Sequence, residues 1–62
     1  MLYRFIFSDR KRRVRRAEAQ FPDDEAAIAY ARTVMERTPN LAVVEVWEQS
    51  RLVHRVDRIW DP

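Results

Sequence analysis

The most chemically suggestive side chains in this sequence form a basic run near its beginning. The run consists of Arg10, Lys11, Arg12, Arg13, Arg15 and Arg16. The guanidinium group of arginine can donate two hydrogen bonds to the oxygens of one phosphate. A hairpin tip that carries several arginines could therefore bind nucleic acid or another polyanion, such as an acidic protein. The opposing interpretation is a solvated arm, because small proteins often carry exposed charge and no RRM-type aromatic motif accompanies the run. We keep both interpretations open.

Charge is unevenly distributed along the chain, although the net charge is only +2. Residues 1–20 hold seven basic and two acidic groups, a net charge of +5, whereas the remaining residues hold five basic and eight acidic groups, a net charge of −3. The basic run therefore belongs to a domain whose body is acidic.

The other candidates for chemistry lack partners at a useful spacing. His54 is the single histidine, and one imidazole between Val53 and Arg55 supplies neither a metal site nor a catalytic pair. Asp23, Asp24 and Glu25 are consecutive, so on a helix they point around the axis rather than converge on a metal. We expect these carboxylates to cap a helix instead.

Several site classes are excluded by composition. The chain has no cysteine, which rules out disulfides and thiolate metal sites, and no glycine, which rules out glycine-rich phosphate-binding loops. Ser8 and Ser50 lie in expected turns with no activating base implied nearby. The sequence therefore predicts a protein that is not an enzyme and that has no metal, no organic cofactor and no small-molecule substrate.

One helix is predicted over residues 23–38, DDEAAIAYARTVMERT. Its apolar residues recur at the spacing of one helical face: Ala27, Ile28, Ala31, Val34 and Met35. Acidic residues suit the positive end of the helix dipole, and Pro39 cannot continue the hydrogen-bond ladder. Tyr30 falls on the flank of this helix, where we expect it to be a packing residue.

Two strands are expected before the helix. Residues 2–7 alternate, with Tyr3, Phe5 and Phe7 on one face and Leu2, Arg4 and Ile6 on the other. Residues 8–11 are expected to form a turn, because the Asp9 side chain can accept a hydrogen bond from the backbone two residues further along. The lack of glycine favours a type I turn in a longer loop. In the second strand, residues 13–21, we expect core-facing Ala17, Ala19 and Phe21, with Arg15 beyond the core edge or past a bulge. The alternative for this segment is a mobile basic loop followed by a short strand.

Two strands are also expected after the helix, at residues 41–48 and 52–60. They are rich in β-branched and aromatic residues. A loop with an even number of residues between them would place Val44, Val46 and Val53 on one face. It would place Trp47, Leu52 and Val56 on the other.

These elements predict a single domain over residues 1–62, an α+β two-layer sandwich in which one helix packs on a small antiparallel ββαββ sheet. A chain this short buries only about 60% of its unfolded surface, so association is a usual source of added stability. The absence of cysteine, of a leader-like beginning and of an apolar run near the ~20 residues of a membrane span predicts a cytoplasmic protein without membrane contact.

Apolar residues on the second sheet face predict a partner. Leu2, Ile6, Val43 and Trp47 lie opposite the helix-covered parity. A sheet with apolar residues on both faces is typical of one covered on both sides. We expect a homodimer joined through this face or through an edge strand, with these four residues as candidate interface residues. In the alternative, a monomer, the long side chains of Arg4 or Arg51 cover Trp47.

Three segments, YRFIF, DDEAAIAYAR and VEVWEQSRLV, resemble a family of short alphaproteobacterial proteins that is defined only as a domain of unknown function. The resemblance covers residues 3–56 and consists of hydrophobic patterns. It implies a bacterial, cytoplasmic, stand-alone domain, and it implies no activity and no site residues. The family usually carries glycine in the first turn and the last hairpin. This chain has Asp9-Arg10-Lys11 and Gln49-Ser50 there, so the arginine run is its own.

Overall fold

Within residues 1–58, one helix and four strands follow one another in the predicted order. A computed structural model of the protein describes residues 1–58. The elements are β1 (Leu2–Asp9), β2 (Val14–Gln20), α1 (Asp24–Arg37), β3 (Leu41–Glu48) and β4 (Arg51–Asp57). All strands belong to one antiparallel sheet in the order β2-β1-β3-β4, which confirms the α+β prediction. The predicted continuation of the last strand to residues 59 and 60 lies outside the described residues.

Helix α1 begins and ends within one residue of the predicted bounds. Asp23 is its N-cap, and the Asp23 carboxylate accepts a 2.9 Å hydrogen bond from the backbone N–H of Ala26. At the other end, the Arg58 guanidinium donates to the carbonyl oxygens of Met35 and Pro39. Orphan polar groups at both ends of the helix thus have partners.

The core lies between α1 and the central strands. Its fully buried large side chains are Tyr3, Phe5, Val44 and Val46. Smaller residues on the helix, including Ala27 and Ala31, are also fully buried, which lets the helix approach the sheet closely. The predicted apolar face of β1 is therefore confirmed, and that of the helix is confirmed for Ala27, Ala31, Val34 and Met35, with Ile28 half-buried.

Strand β2 lies largely outside this core. The helix packs chiefly on β3 and β4, and every β2 residue except Ala19 is exposed. Ala19 and Phe21 pack against the core as predicted, whereas Ala17 lies on the predicted face of the sheet but is exposed. Its cross-strand partner Phe5 is buried while Ala17 is not, because the helix does not extend over β2. Arg15 lies beyond the core edge, as expected.

A bulge in β4 changes the predicted faces of the last hairpin. The loop has two residues, and Trp47 pairs with Leu52 as an even loop requires. The register then shifts, because Val46 pairs with His54 and leaves Val53 as an extra residue that packs against the core. Val56 consequently pairs with Val44 on the helix side. The prediction that Val56 shares the face of Trp47 is wrong for this reason.

The loop between β1 and β2 has the expected longer form. The N–H of Arg12 donates to the carbonyl of Asp9, closing a four-residue turn, and the N–H of Asp9 donates to the carbonyl of Arg13. The Asp9 carboxylate accepts from the N–H groups of Lys11 (2.9 Å) and Arg13 (2.8 Å), which confirms its predicted role in the turn. Arg12 has φ 64°, as in a type I turn followed by a left-handed residue.

Replacing the two left-handed residues by glycine is expected to stabilise the protein. Arg12 (φ 64°) and Gln49 (φ 54°) occupy the region that costs an L-residue about 1–2 kcal/mol and glycine very little. Part of this gain is offset by the greater chain entropy of glycine. We expect Arg12→Gly and Gln49→Gly each to raise the free energy of unfolding by about 0.5–1 kcal/mol, measured by urea denaturation.

Ser50→Gly is the matched control, because Ser50 lies in the same turn as Gln49 without a positive φ. It should lower stability or leave it unchanged. A gain from Ser50→Gly as large as that from Gln49→Gly would contradict the explanation.

Candidate interaction surfaces

The sheet face turned away from α1 is called the open face. It consists of the even-numbered side chains of β1 and β2, of Val43, Glu45 and Trp47 of β3, and of Leu52, Arg55 and Asp57 of β4. The structure places the four predicted interface residues on this face: Leu2, Ile6, Val43 and Trp47. Ile6 lies diagonally between Val43 and Trp47, whereas Leu2 lies near one end of β1 and Val43 pairs with Ser8 near the other end. Leu2 is 52% exposed, and the other three are half-buried.

Trp47 is partly covered from within the chain. The Arg4 guanidinium carbon lies 6.0 Å from the centroid of the indole ring, and the indole N–H donates to Glu45 Oε1 at 3.1 Å. The structure thus pairs Trp47 with Arg4, one of the two arginines considered as its cover. Arg51 instead binds Asp24 and Glu48.

Charges of both signs surround the apolar residues of the open face in equal numbers. The basic and acidic side chains are Arg4, Arg16 and Arg55, and Glu18, Glu45 and Asp57. Some already interact, since Arg55 lies 3.1 Å from Asp57 and 3.9 Å from Glu45. A face of this kind is balanced rather than strongly charged. It matches a surface with the same mixture of charges better than a polyanion.

The basic run does not form one surface. Residues 10–13 lie in the β1–β2 loop, whereas Arg15 and Arg16 lie on β2 and pair with Phe7 and Ile6, so they point to opposite faces of the sheet. Within residues 1–58, the five side chains of Lys11, Arg12, Arg13, Arg15 and Arg16 form no ion pair. The loop is nevertheless anchored, because the N–H of Arg10 donates to the carbonyl of Asn40.

A polar cluster that the sequence did not reveal joins three elements. The Tyr3 hydroxyl donates to Asp24 Oδ1 at 2.7 Å, and both terminal nitrogens of Arg51 lie 3.2 Å from the Asp24 carboxylate. Arg51 also binds Glu48 at 2.5 Å. The cluster links β1, the first turn of α1 and the β3–β4 hairpin.

The cluster shifts the ionisation of its members. Burial, followed by the hydrogen bond to Asp24, raises the pKa of Tyr3 to about 12. The Arg51 guanidinium, followed by the Tyr3 hydroxyl, lowers the pKa of the Asp24 carboxyl. Hydrogen bonds to Asp24 and Glu48 raise the pKa of Arg51. At neutral pH this arrangement is a neutral phenol and a paired carboxylate, which stabilise each other.

The remaining candidates stay apart. His54 is half-buried on β4 opposite Val46, Asp23 caps the helix, and Tyr30 packs against Phe5 with ring centroids 5.2 Å apart. In the described part of the chain, no group of three or more His, Cys, Asp or Glu side chains is placed to hold a metal ion. No helix among those residues is both long and apolar enough to cross a membrane.

Comparison with protein-family models, with curated proteins and with solved structures gives no match. The resemblance to short alphaproteobacterial proteins therefore stays a prediction, and the surfaces described above are the basis for any functional proposal.

Tyr3→Phe is expected to change the alkaline stability of the protein. The pKa of Tyr3 rises from about 10 in the unfolded chain to about 12 in the folded protein, so its contribution is complete below pH 10 and is lost as the pH rises through 12. Wild type should lose free energy of unfolding between pH 10 and 12 more steeply than Tyr3→Phe. Near pH 7, Tyr3→Phe should also be less stable than wild type, because the Asp24 carboxylate loses the hydrogen bond from the Tyr3 hydroxyl.

Tyr30→Phe is the matched control, because its ring contacts remain and the Tyr3 hydroxyl is untouched. Denaturant titrations at several pH values give both quantities. Parallel pH profiles for wild type and Tyr3→Phe would show that the hydroxyl of Tyr3 does not stabilise the fold through Asp24.

Proposed function

We propose that this chain is a non-catalytic protein-interaction module and that its working form is a homodimer. The observation that supports this proposal is the incomplete cover of the sheet. One helix packs on part of one sheet face, so the open face and strand β2 stay exposed in the single chain. Exposed apolar clusters on small proteins usually mark interaction sites.

The partner proposed for the module is a second copy of itself. Oppositely charged groups balance on the open face, which suits a self-complementary two-fold contact, the commonest arrangement of homo-oligomers. The two surfaces through which copies can join in this proposal are the outer edge of β2 and the open face, which carries Leu2, Ile6, Val43 and Trp47. The resemblance to the bacterial family supports a cytoplasmic location, which is part of the same proposal.

Light scattering after size exclusion tests the homodimer. A specific contact buries about 800 Å² per partner, so at micromolar concentration we expect the mass of two chains, falling towards one chain on dilution. Trp47→Ala and Ile6→Glu then report whether the open face takes part, with Arg32→Glu on the exposed surface of α1 as the charge control. A wild type with the mass of one chain at every concentration up to 100-fold above this range would reject the proposal.

Polyanion binding by the basic run is a second candidate function. Its support is the absence of ion pairs for the five side chains of Lys11, Arg12, Arg13, Arg15 and Arg16 among the described residues. Unpaired cations can bind phosphates without first losing a carboxylate partner. Because Arg15 and Arg16 point to opposite faces, only part of the run can contact one straight backbone.

Fluorescence polarisation with duplex DNA and single-stranded RNA at several salt concentrations tests this candidate. If five cations neutralise phosphates, affinity should fall roughly 500-fold between 50 and 200 mM salt. Changing Arg12, Arg13 and Arg15 to Ala should reduce the slope of log affinity against log salt by about 2.7, while Arg32→Ala should leave it unchanged. Binding weaker than about 10⁻⁴ M at physiological salt would remove this function.

A further inference from the structure

The outer edge of β2 presents unused backbone hydrogen-bonding groups. In the described residues, β2 pairs with β1 alone. At the two ends of this pair, backbone hydrogen bonds join Met1 to Phe21 and Asp9 to Arg13. Because hydrogen-bonded pairs alternate along an antiparallel ladder, the odd-numbered residues of β2 direct their N–H and C=O groups towards β1. The even-numbered residues therefore direct theirs outwards: Val14, Arg16, Glu18 and Gln20.

We infer that this edge pairs antiparallel with the same edge of a second copy, about a two-fold axis at Ala17. The two sheets then form one continuous sheet of eight strands. This inference rests on the proposed homodimer and names the surface that joins its two copies.

Charge complementarity selects the register. Hydrogen bonds between the copies can form only between backbone N–H and C=O groups that point outwards. Even-numbered residues of one copy therefore pair with even-numbered residues of the other. With Ala17 on the axis, Arg16 lies opposite Glu18 of the partner subunit, and Glu18 opposite Arg16 of the partner subunit. The neighbouring allowed registers would place Arg16 opposite its own copy, or Glu18 opposite its own copy, and like charges directly opposite destabilise a sheet. One register thus has two cross-strand ion pairs, and its neighbours have like-charge contacts.

The surroundings of β2 leave room for the partner strand. Its helix side holds the small residues Ala17 and Ala19, and α1 packs elsewhere on the sheet. In the selected register, Arg15 of each copy pairs with Ala19 of the partner subunit, so two long side chains meet small ones. The β1–β2 pairing is regular from Leu2 to Ser8, without a bulge that would twist the edge away.

The other surfaces are less suited to joining the copies. The opposite sheet edge, β4, is interrupted by the bulge at Val53. On the open face, Trp47 already has Arg4 over its ring and a hydrogen bond to Glu45. A face-to-face dimer would place Trp47 at its centre, but these contacts already cover Trp47 within one chain.

Cysteine cross-linking tests the axis directly, since the chain has no cysteine and any disulfide must join two copies. In the proposed dimer the two Ala17 residues face each other in a non-hydrogen-bonded pair, with Cα atoms about 4.5 Å apart, within the range of a disulfide. Ala17→Cys should cross-link nearly completely under mild oxidation. Ala19→Cys, an identical change two residues away, should not, because its two copies are about 13 Å apart.

A proline substitution tests the backbone pairing. The N–H of Glu18 faces outwards, so Glu18→Pro removes no hydrogen bond within the chain, and proline is tolerated on edge strands. By symmetry it removes two backbone hydrogen bonds between copies, and it also removes the two Arg16–Glu18 ion pairs. Relative to Glu18→Gln, which removes the ion pairs alone, the Glu18→Pro dimer should dissociate at about 30-fold higher concentration. Arg55→Pro is the control on β4. The hydrogen bond from the N–H of Arg58 to the carbonyl of Ala42 shows that even-numbered residues in this part of the chain bond β3, so the backbone N–H of Arg55 points away from β3.

The outcomes separate this inference from the function on which it rests. It is supported if wild type has the mass of two chains, Ala17→Cys cross-links faster than Ala19→Cys, and Glu18→Pro weakens the dimer while Arg55→Pro and Trp47→Ala do not. It is overturned, with the homodimer intact, if Trp47→Ala dissociates a dimer that Glu18→Pro leaves unchanged. A wild type with the mass of one chain overturns both.

Discussion

A single α-helix is narrower than the four-stranded sheet on which it lies, and this mismatch shapes the molecule. Four strands spaced about 4.8 Å apart span roughly 14 Å between the axes of the outer strands, whereas a helix with its side chains is about 10–12 Å across. Helix α1 lies towards β3 and β4, which leaves β2 exposed. The rings of Phe21 and Tyr30, with centroids 5.3 Å apart, fill the step between the helix and the uncovered strand. The surfaces proposed for interaction are the parts of the sheet that the helix does not cover.

A helix that lies off the centre of its sheet needs contacts at its ends to hold it there. At its first turn, Asp24 accepts hydrogen bonds from Tyr3 on β1 and from Arg51 on β4. At its last turn, Arg58 binds the carbonyl oxygen of Met35. Arg51 is the first residue of β4, and Arg58 follows its last residue. The two ends of β4 therefore hold the two ends of the helix.

Local patterns predicted the elements of this fold, whereas contacts between distant residues could not be predicted. Alternation and helical spacing depend on neighbours within a few residues, and so does the cap at Asp23. The face of Val56 depends on a bulge, and the exposure of Ala17 depends on where the helix lies. The bond between Asp24 and Arg51 joins residues 27 positions apart, and several other carboxylates could have paired with that arginine. Spacing alone does not choose among them.

The bulge at Val53 also bears on the solubility of the protein. A sheet with two regular edges is a template to which copies can be added at either end without limit, as in a fibre. Here the pairing of β3 with β4 is irregular at Val46 and Trp47, so the β4 edge does not offer a uniform row of donors and acceptors. Of the two sheet edges within residues 1–58, the β2 edge is the regular one. In the proposed dimer, pairing about a two-fold axis would occupy this edge in both copies and leave no regular edge for further addition.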